Sequence, residues 1–359
     1  GPFKQGLYGC SEMINEGFKR LVEAGVIRRR VVDKPALMQR ANAGTLNAQE
    51  QALVERDGEF LHGAFYLGSG DFYHWLHTLD EDTRRGIGMR RVGEVNALPE
   101  YDEGLVRMQR RDARFFNTCM IATGLGAAAS DGLDDGRVVS GVGGQYNFVA
   151  MSHALPDARS SLLLRASRDT DGQRESNIRW NYGHTTIPRH LRDLYITEYG
   201  IADLRGKVDE DCVIAMASIA DAAFHHELLR PAIAAGKLRD DFIAPATWAA
   251  HTPASLRDRL APFRIDGTLP DYPLGSDFTV VEQRLTVALG WLKTRTGTLP
   301  AKLRTIVAAV MDKGPADQEA LQRMQLDAPF TWKQRLLARL LAHALRQTAR
   351  PAGNAGAAA

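Results

Sequence analysis

Cysteine is scarce and scattered. The chain holds three, Cys10, Cys119 and Cys212, among 359 residues, an odd number too widely spaced for a disulfide framework or a zinc knuckle. A reducing cytoplasm is the expected compartment. No apolar run approaches the roughly 18 residues that span a bilayer, and the first residues lack the charged head and apolar core of a secretory leader. Charge of one sign is also missing: 45 basic and 43 acidic residues leave a net +2, without the basic footprint of a nucleic-acid surface. No nucleic-acid partner is expected, and small molecules remain. There is no HExxH helix and no Cys cluster, so no metal is expected. The chain does not begin with methionine, and its patterning starts almost at once, as in a piece cut from a longer protein.

What is present is ordinary globular composition, 44% hydrophobic and 25% charged, arranged as a repeating alternation of strand, glycine turn and helix. Ser11 as N-cap with Ile14, Phe18, Leu21 and Val22 at helical spacing predicts a helix over 11–25. A strand is expected at 60–67, turning through Gly68-Ser69-Gly70-Asp71 into a helix, and another short strand at 92–95. The central stretch, 115–149, reads as an apolar strand, a glycine loop, a second short strand at 137–140, and the turn Gly141-Val142-Gly143-Gly144-Gln145 opening a helix. Apolar runs at 161–166 and 194–197 suit buried strands of a parallel sheet. Val213, Ala217, Ala220 and Phe224 mark a further helix, and Pro231 interrupts it or starts the next one.

After about residue 240 a Pro- and Asp-rich loop leads to helices at 278–293, 301–311 and 332–347. The expected fold class is therefore α/β, an open, mostly parallel sheet with a helical C-terminal extension. The expected domains are 1–240, 241–350 and a disordered tail, 351–359.

Several motifs carry competing readings. Gly124-Leu125-Gly126-Ala127-Ala128-Ala129 fits G-x-G-x-x-[GA], but no acid follows about 20 residues later to hold a ribose; a tight turn is preferred. His74 and His77, with Asp80 a turn further, sit on an aromatic helix and read as packing and surface residues, as does His225-His226-Glu227. Leu336, Leu337, Leu340, Leu341 and Leu345 form a stripe on a helix rich in arginine, with no acid in 331–350. Docking onto the protein's own core or a second subunit is favoured over membrane attachment. At 141–144, by contrast, glycines past a strand let backbone N–H groups approach a ligand, and the helix that follows favours phosphate, carboxylate or an oxyanion.

Ser140-Gly141-Val142-Gly143-Gly144-Gln145-Tyr146-Asn147-Phe148 together with Thr197-Glu198-Tyr199-Gly200-Ile201-Ala202-Asp203-Leu204-Arg205-Gly206-Lys207 resembles the C-terminal domain of the acetyl-CoA hydrolase/transferase family, which includes acetate and 4-hydroxybutyrate CoA-transferases. The early Ser11-Glu12-Met13 and the strand and turn at 60–73 are similar in order, so the resemblance covers roughly 6–238. It implies a CoA-transferase-type fold, acyl-CoA and a small carboxylate as partners, coenzyme A as a substrate with no tightly bound cofactor, a homo-oligomer, and a further domain on the N-terminal side. It also implies ping-pong transfer through an acyl-glutamyl anhydride.

In the family's pattern the nucleophilic glutamate follows an Asn-Thr or Asn-Ser pair, here Asn117-Thr118, and its place falls on Ile121. The aspartate two residues on becomes Thr123, and the Asp of the GGQ-x-D-F motif becomes Asn147. The loop implied to hold the thioester is kept as Gly141, Gly143, Gly144 and Gln145. Glu94 and Glu12 are substitute carboxylates at hand. Glu198 ends a strand, where an acid tied to backbone N–H groups is the preferred reading. Cys119 reads as a buried small hydrophobe, two residues from the expected nucleophile. The expected function is acyl-CoA hydrolysis or CoA transfer in acetate metabolism; a nonenzymatic CoA-binding module is the alternative.

Overall fold

The computed structural model describes residues 6–99, 102–170 and 172–349. Two units divide the chain, one comprising Gly1–Arg168 and Arg174–Leu274, the other Asp169–Gln173 and Gly275–Ala359. The strands are β1 (Gly9–Ile14), β2 (Leu61–Tyr66), β3 (Ile87–Met89), β4 (Arg114–Thr118), β5 (Ile121–Thr123), β6 (Ala128–Ala129), β7 (Arg159–Leu163), β8 (Ser167–Thr170), β9 (Gln173–Ser176), β10 (Ile178–Arg179), β11 (Leu194–Thr197) and β12 (Gly200–Asp203).

In the first unit, β1, β2 and β3 form a parallel sheet in that order, with Gly9 opposite Leu61 and Ile14 opposite Tyr66. Here the expected helix at 11–25 is corrected. Residues 9–14 are strand and the helix runs only over Glu16–Glu23. Ile14 is fully buried among Leu61, Phe72 and Ile87, so it belongs to the sheet's core and not to a helical stripe. Asn15 is the cap, its side chain accepting from the Gly17 N–H at 3.0 Å. Ser11 instead donates its hydroxyl to the Met13 carbonyl.

The larger sheet has the order β12-β11-β7-β4, parallel except for the hairpin partner β12. Tyr195 and Leu162 from its strands pack with Met216, Leu204 and Ile178 in the main core. The helix Gln145–Ala154 follows the 141–144 turn as expected. The strands at 61–66 and 194–197 also meet expectation; the run at 161–166 is strand only as far as Leu163, within Arg159–Leu163, and the helix marked by Val213 and Ala217 ends at Ala217, leaving Phe224 in a separate short turn over Ala222–Phe224. Helix continues through Pro231 within His225–Ala234.

Other elements differ. Residues 92–95, expected as strand, lie in the helix Val92–Asn96, where Arg91 pairs with Glu94 outside while Val95 and Asn96 turn inward. The spacing of that ion pair is helical. Residues 137–140 make only a single bridge, between Val138 and Gly132. The 101–114 connector contains the helix Glu103–Gln109, capped by Asp102. The expected loop at 241–277 contains the helix Pro253–Ile265 and a short turn that places Trp248 in the main core.

The second unit is helical, with Val280–Arg295, Leu299–Met311, Gln318–Arg323 and Trp332–Thr348. Leu341 and Leu345 of the leucine stripe bury against Leu285, Ala288 and Leu321. Among the described residues no helix is long and apolar enough to cross a membrane. The 351–359 tail lies outside the described residues.

Candidate active site

The 141–144 turn is shaped by what surrounds Gly144. A Cβ there would lie 2.5 Å from Asn96 Nδ2 and 2.8 Å from Glu12 Oε2, closer than side-chain carbons approach such atoms. Gly143 adopts φ +58°, the left-handed region that glycine enters most readily. Without side chains at these positions, the Gly144 N–H donates to Glu12 Oε2 at 3.1 Å. Asn96 Nδ2 donates to the same oxygen at 2.7 Å. Glu12 is half-buried, and Oε1 has no hydrogen-bond partner among the described residues.

The three residues before Gly144 are exposed. Their backbone N–H groups find no acceptor among the described residues, and they stand at the start of the helix Gln145–Ala154, whose dipole favours negative charge. Gln145 is buried, and its Nε2 donates to the Thr118 carbonyl at the end of β4, 2.6 Å away. Three buried side-chain atoms around this junction lack a partner among the described residues: Asn96 Oδ1, Asn117 Nδ2 and Gln145 Oε1. Such groups are costly unless something polar reaches them. A carboxylate beside free backbone donors and unsatisfied amides is equipped to receive a polar, oxygen-bearing ligand.

Of the carboxylates singled out in the sequence, the fold brings only Glu12 to the turn. Glu94 pairs with Arg91 at 2.7 Å. Glu198 is exposed just past β11, where Oε2 accepts from the Ala166 N–H at 2.9 Å. Ile121 is wholly buried with Ala129 and Tyr182. Thr123 accepts from the Ala127 N–H through its hydroxyl, and Asn147 is exposed one turn into the helix. Burial pushes the Cys119 thiol up to about 12, so it is no nucleophile near neutral pH.

The 124–129 peptide is a tight β5–β6 hairpin with no helix behind it. His74 and His77 are exposed, and no group of three or more His, Cys, Asp or Glu among the described residues is arranged to hold a metal ion. Asn96 is the residue that sequence reasoning missed. Its signal was hidden because 92–95 read as strand, which hid that Asn96 ends a helix facing β1.

A family model described as the acetyl-CoA hydrolase/transferase C-terminal domain matches residues 68–232. The matched segment contains the 141–144 turn, Asn96 and Gln145, whereas Glu12 precedes it. Curated relatives agree: the probable butyrate:acetyl-CoA coenzyme A-transferase of Syntrophomonas wolfei subsp. wolfei is 25% identical over 215 residues, 59% of this chain and 44% of that protein. The 4-hydroxybutyrate coenzyme A transferase of Clostridium kluyveri is 22% identical over 220 residues, 61% of this chain and 43% of that protein. The chain therefore spans less than half the length of these relatives. Among solved structures, RipA from Yersinia pestis shares the fold, with a TM-score of 0.50 at 21% identity over 66% of this chain and 47% of that one.

Proposed function

We propose that the chain binds acyl-CoA at the 141–144 turn and either transfers CoA between small carboxylates or hydrolyses the thioester, with Glu12 as the reactive carboxylate. The observation that carries this reading is the Glu12 carboxylate held against Gly144 and Asn96 beside three backbone N–H groups with no acceptor among the described residues. Asn96 and the Gly144 N–H fix Oε2 and leave Oε1 to attack the thioester carbonyl. The carbonyl oxygen takes up negative charge, which the N–H groups of Gly141, Val142 and Gly143 stabilise.

Collapse forms a mixed anhydride on Glu12 and releases CoA as thiolate. For transfer, CoA attacks the anhydride's glutamyl carbonyl, releasing the first carboxylate; the second carboxylate attacks the resulting enzyme thioester, and CoA takes its acyl group from the new anhydride. For hydrolysis, water cleaves the first anhydride. Coenzyme A is thus substrate and not resident cofactor, and three free cysteines suit a reducing cytoplasm.

A second reading has its own observation. The position where the family's pattern puts its glutamate is a fully buried isoleucine, Ile121, which favours a domain that binds CoA without covalent chemistry. Chromatography of acetyl-CoA with and without propionate separates the two. Propionyl-CoA marks transfer and free CoA alone marks hydrolysis. With Glu12→Gln the rate is expected to fall by about 10³-fold while CoA still binds. No turnover by the unaltered chain, with CoA bound in calorimetry, leaves the binding module; full turnover by Glu12→Gln removes Glu12 from the mechanism.

A further inference from the structure

A cavity of about 340 Å³ opens at the amino ends of β1 and β4. The 141–144 turn meets the same two strands further along, at Glu12 and Thr118. Its volume falls within the range of small-molecule pockets, about 300–1,000 Å³. Four arginines line it, Arg29, Arg110, Arg111 and Arg114, against one acid, Asp112. Its apolar wall includes Leu7, Phe115 and Phe116.

The arginines have hydrogen bonds but little countercharge. Arg110 is 5% exposed, yet among the described residues its guanidinium meets only the Met151 sulfur and the Glu94 carbonyl, and its Nε has no partner. No carboxylate lies within ion-pairing distance of it among the described residues. Arg29 donates to the Gln109 carbonyl at 2.6 Å and lies over the Tyr8 ring. Arg114 donates to the carbonyls of Asp112, Ala113 and Asp157. Arg111 pairs with an acid, Asp112, at 3.6 Å, and the same carboxylate partly offsets the charge of Arg29. Carbonyl oxygens satisfy N–H donors without cancelling charge, so the cavity carries a positive excess in a partly desolvated setting. Burial, and next the nearby Arg111, lower the Arg29 pKa, as crowded guanidinium groups would.

We infer that this cavity is a binding site for a small organic anion, a carboxylate or phosphate head on an apolar body, separate from the acyl-CoA turn. The buried fork of Arg110 takes the head, Arg29 and Arg111 add countercharge, and the apolar body lies along Phe115 and Phe116. Guanidinium suits both heads, because its planar donors match carboxylate and phosphate oxygens in pairs.

The test titrates the full chain by calorimetry with benzoate, phenyl phosphate, inorganic phosphate and the neutral benzyl alcohol. In parallel, mass spectrometry follows N-ethylmaleimide modification of Cys10, which lines the cavity. Saturable binding of an aromatic anion with a Kd below about 1 mM is expected, with slowed modification of Cys10 and no comparable binding of benzyl alcohol. Benzoate binding tighter than phenyl phosphate assigns a carboxylate ligand; the reverse assigns a phosphate. Arg110→Met is expected to weaken binding by about tenfold or more and the more exposed Arg111→Gln by about threefold.

Should Arg110→Met fail to fold, Arg111→Gln and Cys10 protection decide. Absence of saturable binding by either aromatic anion, binding unchanged by Arg111→Gln without Cys10 protection, or equal binding of benzyl alcohol overturns the inference. Glu12→Gln leaves anion binding intact if the two sites are separate, so a failure here is distinguishable from a failure of the acyl-CoA reading.

Discussion

The glycine turns at 124–126 and at 141–144 lie within twenty residues of one another, and both follow strand-like stretches, yet they spend their backbone donors differently. In the first, the Gly124 N–H goes to the Arg179 carbonyl, that of Gly126 to the Thr123 carbonyl, and that of Ala127 to the Thr123 hydroxyl. The loop closes on itself as a hairpin. In the second, among the described residues only the Gly144 N–H is taken, and by a carboxylate from a different sheet. The glycine spacing that looks most like a nucleotide motif belongs to the closed turn. What separates a binding loop from a structural one is where its amides point, and that depends on the element that follows: β6 in one case, a ten-residue helix in the other.

The largest test of this contrast tries to give the closed side a carboxylate. Ile121 heads β5 and is fully buried, so Ile121→Glu is expected to cost about 3 kcal/mol or more, because the new charge has no partner. Thermal or urea unfolding measures it. A stable variant with raised transferase activity would show that β5 is the catalytic side after all.

Gly144→Ala and Gly126→Ala form the next comparison. At Gly144 the added Cβ pushes on Asn96 and Glu12, so turnover should drop by about 10²-fold with CoA binding weakened. At Gly126, φ is +82° and the Cβ would lie 2.8 Å from Leu204 Cδ1 and 2.9 Å from Arg192 Cβ. That change should cost about 1–3 kcal/mol of stability and leave the kinetics of the folded fraction untouched. Kinetics and melting of the two variants, measured side by side, should therefore show opposite patterns; matching patterns would erase the distinction.

The smallest effect concerns Cys119, which lies between β4 and the closed hairpin. Burial raises its thiol to about 12, so the folded state holds the thiol form throughout the neutral range and the unfolded chain, with a pKa near 8.5, ionises first. The buried thiol's contribution is therefore lost progressively as pH rises above that unfolded value. Alkylation at pH 8 is expected to spare Cys119 in the native protein and reach it only after unfolding; mass spectrometry of the labelled peptides gives the answer. Rapid native labelling would mean that the region before the hairpin is open to solvent.

Much of this framework could be read directly. The apolar runs that became β4, β7 and β11, and the glycine turn that opens the helix at Gln145, were legible because each is a local pattern. β1 was not, because Ile14, Phe18, Leu21 and Val22 satisfy a helical period while only the pairing of Gly9 with Leu61 and its successors makes 9–14 a strand. Asn96 was hidden by a short segment whose composition suits a strand and whose Arg91–Glu94 pair favours a helix. The meeting of Glu12 with Gly144 spans 132 positions. No local pattern encodes it, since it exists only once two sheets are packed.

Gly144 and Gln145 are neighbours in the chain that answer to different sheets, the first to Glu12 on β1 and the second to Thr118 at the end of β4. A small slip of one sheet past the other would stretch one of these two bonds while every strand ladder stayed whole. On warming, the junction is expected to loosen before the sheets do, so that any turnover is lost some degrees before their circular dichroism changes; simultaneous loss would show that the layers and their alignment fail together.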